Sequence, residues 1–124
     1  MIKGYLEKAR GKLKIASNLL DDGAYDDTVS RAYYAAFHAA TAVLLTEGLS
    51  AETHRGLLNL FGLHFVRTGK IEKKYGKYLA NLKDDRETGD YEAFSAIDKD
   101  TAEMAVREAA EFLKAMEHYL KSCL

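Results

Sequence analysis

Apolar residues recur along the first twenty positions at intervals of four and three, as Ile2, Leu6, Ala9, Leu13, Ala16 and Leu20. That spacing places them on one stripe of a helix and leaves Lys3, Lys8, Lys12 and Lys14 elsewhere on its surface. The pattern predicts a first helix over Ile2–Leu20, stopped by Asp21-Asp22-Gly23. A second, over Tyr25–Thr46, carries Val29, Ala32, Tyr33, Ala36, Ala40 and Val43 as its core stripe and ends at Glu47-Gly48. Leu57, Leu58, Phe61 and Phe65 mark a third over Thr53–Arg67, ahead of Gly69. Ile71, Tyr75, Tyr78 and Leu82 mark a fourth over Ile71–Glu87, in which Gly76 is the one irregularity. The stretch from Thr88-Gly89-Asp90-Tyr91 to Ile97 reads as an irregular linker. Asp100, with Glu103 three residues on, reads as the N-cap of a last helix through Lys121. Its inner face is Ala102, Val106, Ala109, Leu113, Met116 and Leu120.

No segment alternates with a period of two, so no strand is expected. Short connections favour antiparallel neighbours, and the expected fold is all-α: an up-and-down antiparallel four-helix bundle with a short fifth helix, in a single domain spanning 1–124. Composition agrees, since 48% of the 124 residues are apolar, 30% are charged and proline is absent. The longest charge-poor stretch, Thr28 to Thr46, still contains Arg31 and His38 and is mostly alanine, which argues against a membrane span. With no signal-like start and a lone Cys123 that can form neither an internal disulfide nor a metal quartet, the cytoplasm is the expected location. A formal net charge of −1 excludes a globally basic nucleic-acid binder but leaves local patches open.

The second helix carries the most information. Arg31 and His38 lie seven residues apart, about 20° from each other in projection and roughly opposite the core stripe. Arg31 is the only fully charged residue between Thr28 and Thr46, whereas an ordinary surface helix shows several on its outer face. Both faces should therefore be covered, the second by another helix or by another subunit. Asp27, four residues before Arg31, could pair with it and leave His38 as an interfacial histidine. Alternatively, Arg31 could hold a phosphate while His38 moves a proton.

The string SRAYYAAFHAA, followed by Thr53-His54-Arg55-Gly56-Leu57, Phe61, His64-Phe65-Val66 and Gly69, resembles small prokaryotic HEPN-domain proteins along nearly the whole chain. The resemblance implies a helical bundle, usually a homodimer, often paired with a small nucleotidyltransferase in a toxin–antitoxin-like module. It also implies metal-independent RNA cleavage by an Arg and a His separated by four to six residues. Arg31 and His38 match that spacing, although they lie mid-helix and Ala32 follows the arginine. Arg86 and Tyr91 are the weaker alternative, with tyrosine at the histidine position amid Asp84, Asp85, Glu87 and Asp90. The expected function is thus a dimeric HEPN-type module that cleaves RNA with an Arg/His pair. The alternative is a non-catalytic interaction or nucleotide-binding domain that partners a nucleotidyltransferase.

Between Arg67 and Lys83 six basic residues face one acid, so Lys73, Lys74 and Lys77 could form a backbone-binding ridge for RNA with Tyr75 and Tyr78 for stacking. The competing account is a solvated face with the tyrosines in the core. Tyr34 and His54 join these lysines as candidate RNA- or nucleotide-binding residues. The four histidines and Cys123 show no close ligand spacing, and no glycine-rich phosphate loop is present, so no metal or cofactor is expected.

Overall fold

The computed structural model describes residues 1–91 and 97–123. Four long helices, α1 (Ile2–Asp21), α2 (Tyr25–Leu45), α4 (Lys73–Tyr91) and α5 (Lys99–Cys123), pack with the short α3 (His54–Phe61), and the described residues contain no strand. This is the expected helical bundle. Gly23 and Gly48 supply the positive φ, 79° and 68°, that lets the chain leave α1 and α2 sharply.

Helix α2 is the central element. Thr28, Val29, Ala32, Tyr33, Ala35, Ala36, Ala39, Ala40, Ala42 and Val43 are all fully buried on it. Helices α1, α4 and α5 of the same chain pack around it, and small alanine side chains let those backbones approach. The charges missing from α2 are thus explained by intrachain neighbours, without any need for a second subunit to cover that surface. The residues left partly open, among them Ser30, Tyr34, Phe37, His38, Thr41 and Leu45, share one stripe.

Three boundaries differ from the sequence reading. The third helix does not continue uniformly to Arg67, because Gly62–Val66 forms a π-helical turn in which the Arg67 amide donates to the Gly62 carbonyl at 2.9 Å. That turn brings Phe65 into the core against Phe61, with ring centroids 6.0 Å apart. The last helix begins at Lys99 rather than after Asp100, and its cap is Asp98, whose Oδ1 accepts from the Thr101 amide at 2.8 Å. Finally, Thr88 to Tyr91 is not linker but the last turn of α4. Residues 92–96 of the expected linker lie outside the described residues.

Gly89 lies inside that last turn, facing α2, where a Cβ would lie 3.5 Å from Val29 Cγ2 and 3.6 Å from the Asp26 Cα. Those are ordinary contact distances, so one methyl group fits and the helix gains. Gly89→Ala is expected to raise stability by about 0.5–1 kcal/mol in urea unfolding, because alanine is the better helix former. Gly89→Leu should lower it by forcing α4 off α2. A destabilising alanine would mean that residue 89 is not helical.

Candidate functional site

Side chains from three helices meet around the tyrosine pair of α2. Tyr33 points inward and is fully buried, and its hydroxyl lies 2.7 Å from Nδ1 of His54. His54 is the first residue of α3. Its position is set by the N-cap at Thr53, whose hydroxyl oxygen accepts from the Gly56 amide at 2.9 Å. The His54 ring lies 5.4 Å from Tyr33, 5.9 Å from Tyr34 and 5.0 Å from Phe37, so the imidazole is wedged among aromatic neighbours.

From α4, the Arg86 guanidinium reaches the same pair, 5.6 Å from the Tyr33 ring and 5.3 Å from the Tyr34 ring. Its side chain is only 18% exposed, and Nε lies 3.2 Å from Asp90 Oδ2 without an aligned hydrogen bond. A cation this enclosed, resting on two π faces and one half-exposed carboxylate, keeps unused donor capacity. The acids that crowd it in sequence do not all face it. Asp84 and Asp85 line a separate hollow with Asp100 and Glu108 of α5, while Glu87 pairs with Lys83.

Burial, reinforced by the charges of Arg86 and Lys83 and opposed by Glu87, holds the His54 imidazole below its ordinary value. It is therefore neutral at pH 7. Burial drives the Tyr33 hydroxyl upward, so it remains a protonated phenol that can orient the imidazole. The hydrogen bond at Nδ1 leaves Nε2 as the ring nitrogen free of that contact.

Arg31 and His38 do not join this cluster. Arg31 is exposed and makes no ion pair with Asp27. His38 is half-buried on the α1 side of Tyr34, stacked on Tyr5 at 6.1 Å and 27°, with a buried Nδ1 that has no hydrogen-bond partner. Burial and then the α1 residues Lys8 and Lys12 lower its proton affinity. Tyr91 is 82% exposed at the end of α4. Since α4 stays helical to that point, five residues place Tyr91 about 140° around the axis from Arg86. Lys73, Lys74 and Lys77 are exposed, while Tyr75 and Tyr78 are half-buried against the core. Spacing along the chain cannot bring Arg86 and His54 together, because they approach the tyrosine pair from different helices. The nearest signal was the tyrosine pair beside a histidine that follows a cap.

The two lowered histidines make stability depend on acid. Each takes up a proton more readily in the unfolded chain, so stability is intact above the ordinary value of about 6.5 and is lost as pH falls from there towards the folded-state values. Urea midpoints should drop between pH 7.5 and pH 5.5, and a His38→Leu/His54→Leu variant should show a shallower drop. An unchanged slope in that variant would assign the effect to other groups.

No helix of the described residues is long and apolar enough to cross a membrane, and no three His, Cys, Asp or Glu side chains among them are grouped to hold a metal. The fold and site together define a small helical domain with an arginine and a histidine gathered on an aromatic platform. The HEPN domain family model matches residues 2–119, and the chain belongs to the HEPN family. A Methanocaldococcus jannaschii protein named "Putative toxin" is 37% identical over 99% of this chain and 91% of its own length. A Thermotoga maritima protein named "UPF0332 protein" is 35% identical over 98% of this chain and 92% of its own. A crystallised Thermus thermophilus protein, 22% identical, superposes with a TM-score of 0.79 over 95% of this chain and 97% of that one, which bears on the fold.

Proposed function

We propose that this chain is the RNA-cleaving module of a toxin–antitoxin-like system, working without a metal and with Arg86 and His54 at the centre of its site. The observation that carries the reading is the placement of an enclosed guanidinium and a neutral imidazole on the same two tyrosines. Relatives whose names include the word toxin support the biological setting. In the reaction, His54, in the tautomer whose Nδ1–H donates to the Tyr33 hydroxyl oxygen, takes the proton of a ribose 2′-hydroxyl at Nε2, and the 2′-oxygen attacks the adjacent phosphorus. The bond to the 5′-oxygen breaks, leaving a 2′,3′-cyclic phosphate, and the imidazolium returns a proton to the departing oxygen. Arg86 stabilises the charge that builds on the phosphorane, the step at which fixed donors contribute most.

The reading includes a homodimer. The half-open stripe of Tyr34, Phe37, His38, Thr41 and Leu45 on α2 is the surface that supports it, and a nucleotidyltransferase is the proposed second partner. His38 then belongs to that stripe, and Arg31 to its border, rather than to the chemistry. Incubating the protein with single-stranded RNA in EDTA should yield 5′-hydroxyl and 2′,3′-cyclic phosphate ends. His54→Ala should lose them, and Arg31→Ala and His38→Ala should keep them. The reverse pattern would move the site to Arg31 and His38. No turnover by the wild type would favour the non-catalytic reading, in which Arg86 already has its partners in Asp90 and the two rings.

A further inference from the structure

A second enclosed cation stands just under one turn before Arg86 on α4. Lys83 and Arg86 are three residues apart, a spacing that puts both side chains on one face of the helix. That face looks onto the His54 imidazole, where the charges of both residues are felt. The Lys83 side chain is only 21% exposed, close to the 18% of Arg86. Lys99, in the same i, i+4 arrangement with Glu103, is 67% exposed, so Lys83 is not an ordinary surface lysine.

Each of the two cations is neutralised by a carboxylate four residues further on. Lys83 Nζ donates to Glu87 Oε1, and Arg86 lies beside Asp90. The carboxylates are the outer members, 41% and 42% exposed. Ion pairs open to water on one side contribute little and are screened by salt, so the acids can leave while the cations stay. Glu87 is the one side-chain acceptor that Lys83 Nζ has among the described residues, and an ammonium carries three donors.

Two like charges three residues apart on a helix repel. A single phosphate at Arg86 relieves one of them and leaves the Lys83–Glu87 pair as it is. A strand carries a charge at every phosphate, with oxygens that compete for the same N–H donors as a carboxylate. We propose that Lys83 holds the phosphate adjoining the one at Arg86, and that Glu87 is a built-in competitor which the strand displaces. This role rests on Arg86 and His54 being the RNA-cleaving site. It narrows the substrate to a strand with two consecutive phosphates across the site, in preference to a dinucleotide. Lys83 touches the substrate beside the reacting phosphate, so it sets binding and length preference.

Uridine oligonucleotides with 2′-O-methyl groups lack the attacking hydroxyl, so their binding is read apart from the chemistry. The test is titration of 15N-labelled full-length protein with the dinucleotide, which has one phosphate, and the trinucleotide, which has two. Wild type should bind the trinucleotide roughly tenfold more tightly, the scale of one charge-assisted contact. Lys83→Ala should erase that preference while leaving the dinucleotide affinity and the circular dichroism spectrum unchanged. Lys83→Arg should restore it. Glu87→Gln should tighten the trinucleotide roughly twofold, the scale of an exposed ion pair, and lose that effect when Lys83 is already alanine. Three results would overturn the role of Lys83: no binding or no length preference in the wild type, a preference that survives Lys83→Ala, or equal weakening of both ligands. Cleavage of unmodified RNA in EDTA is scored separately. A wild type that cleaves but shows none of this keeps the function and loses the Lys83 role. Lys83-dependent binding without cleavage keeps the phosphate contact and loses the function.

Discussion

Under the proposed RNA-cleaving role, Arg86→Ala is expected to slow cleavage by about 10²–10³-fold, the loss that follows removal of one preorganised donor to a developing oxyanion. The guanidinium is mostly enclosed and already oriented by the Tyr33 and Tyr34 rings, so little reorganisation is needed as charge develops on the phosphorane. Arg86→Lys should recover only part of the rate, since an ammonium keeps the charge but loses the planar fork and the stacking face. The measurement is a single-turnover rate on defined RNA in EDTA, with far-ultraviolet circular dichroism to confirm the helices. Asp90, the partner left behind, is 42% exposed and can be solvated, so its loss of the arginine should not unfold the domain. Unchanged cleavage by Arg86→Ala would remove Arg86 from the chemistry.

Phe112→Ala should be the most damaging of the stability changes, at about 3–5 kcal/mol in denaturant unfolding. Phe112 is fully buried on α5, and its ring lies 5.6 Å from Phe61 of α3 and 6.4 Å from Tyr75 of α4. It therefore joins three elements at one point, and truncation leaves a cavity that none can fill without parting from the others. Domains of this size hold only about 5–15 kcal/mol in all, so the variant should be marginally folded at 37 °C. Met104, 53% exposed on the same helix, provides the control, with Met104→Ala expected within about 0.5 kcal/mol of wild type.

The fold was legible because helical periodicity is a local property. The spacing of Val29, Ala32, Tyr33, Ala36, Ala40 and Val43 identified a face that is fully buried. Two of the places where that reading differs share one cause: a residue type with two uses. Gly89 reads as a turn residue by composition, yet it lies within α4, packed close to Val29 and Asp26 of α2. Asp98 and Asp100 are equally good caps in isolation, and the start of α5 chose Asp98. The absent charges on α2 correctly indicated a covered helix, but whether the cover was the same chain or another could not be read from α2 itself.

For the site, the sequence by itself determined the parts: a tyrosine pair on one helix, a histidine behind a Thr cap, and an arginine late in another helix. It favoured Arg31 and His38 because a spacing motif can only compare residues along one segment. Tertiary structure alone decided that Arg86, His54 and Tyr33, each from a different helix, share one aromatic platform, whereas His38 turns towards Tyr5 and Arg31 towards solvent. The physical reason is that backbone periodicity sets which way a side chain points. Only the packing of α3 and α4 on α2 sets what it meets there.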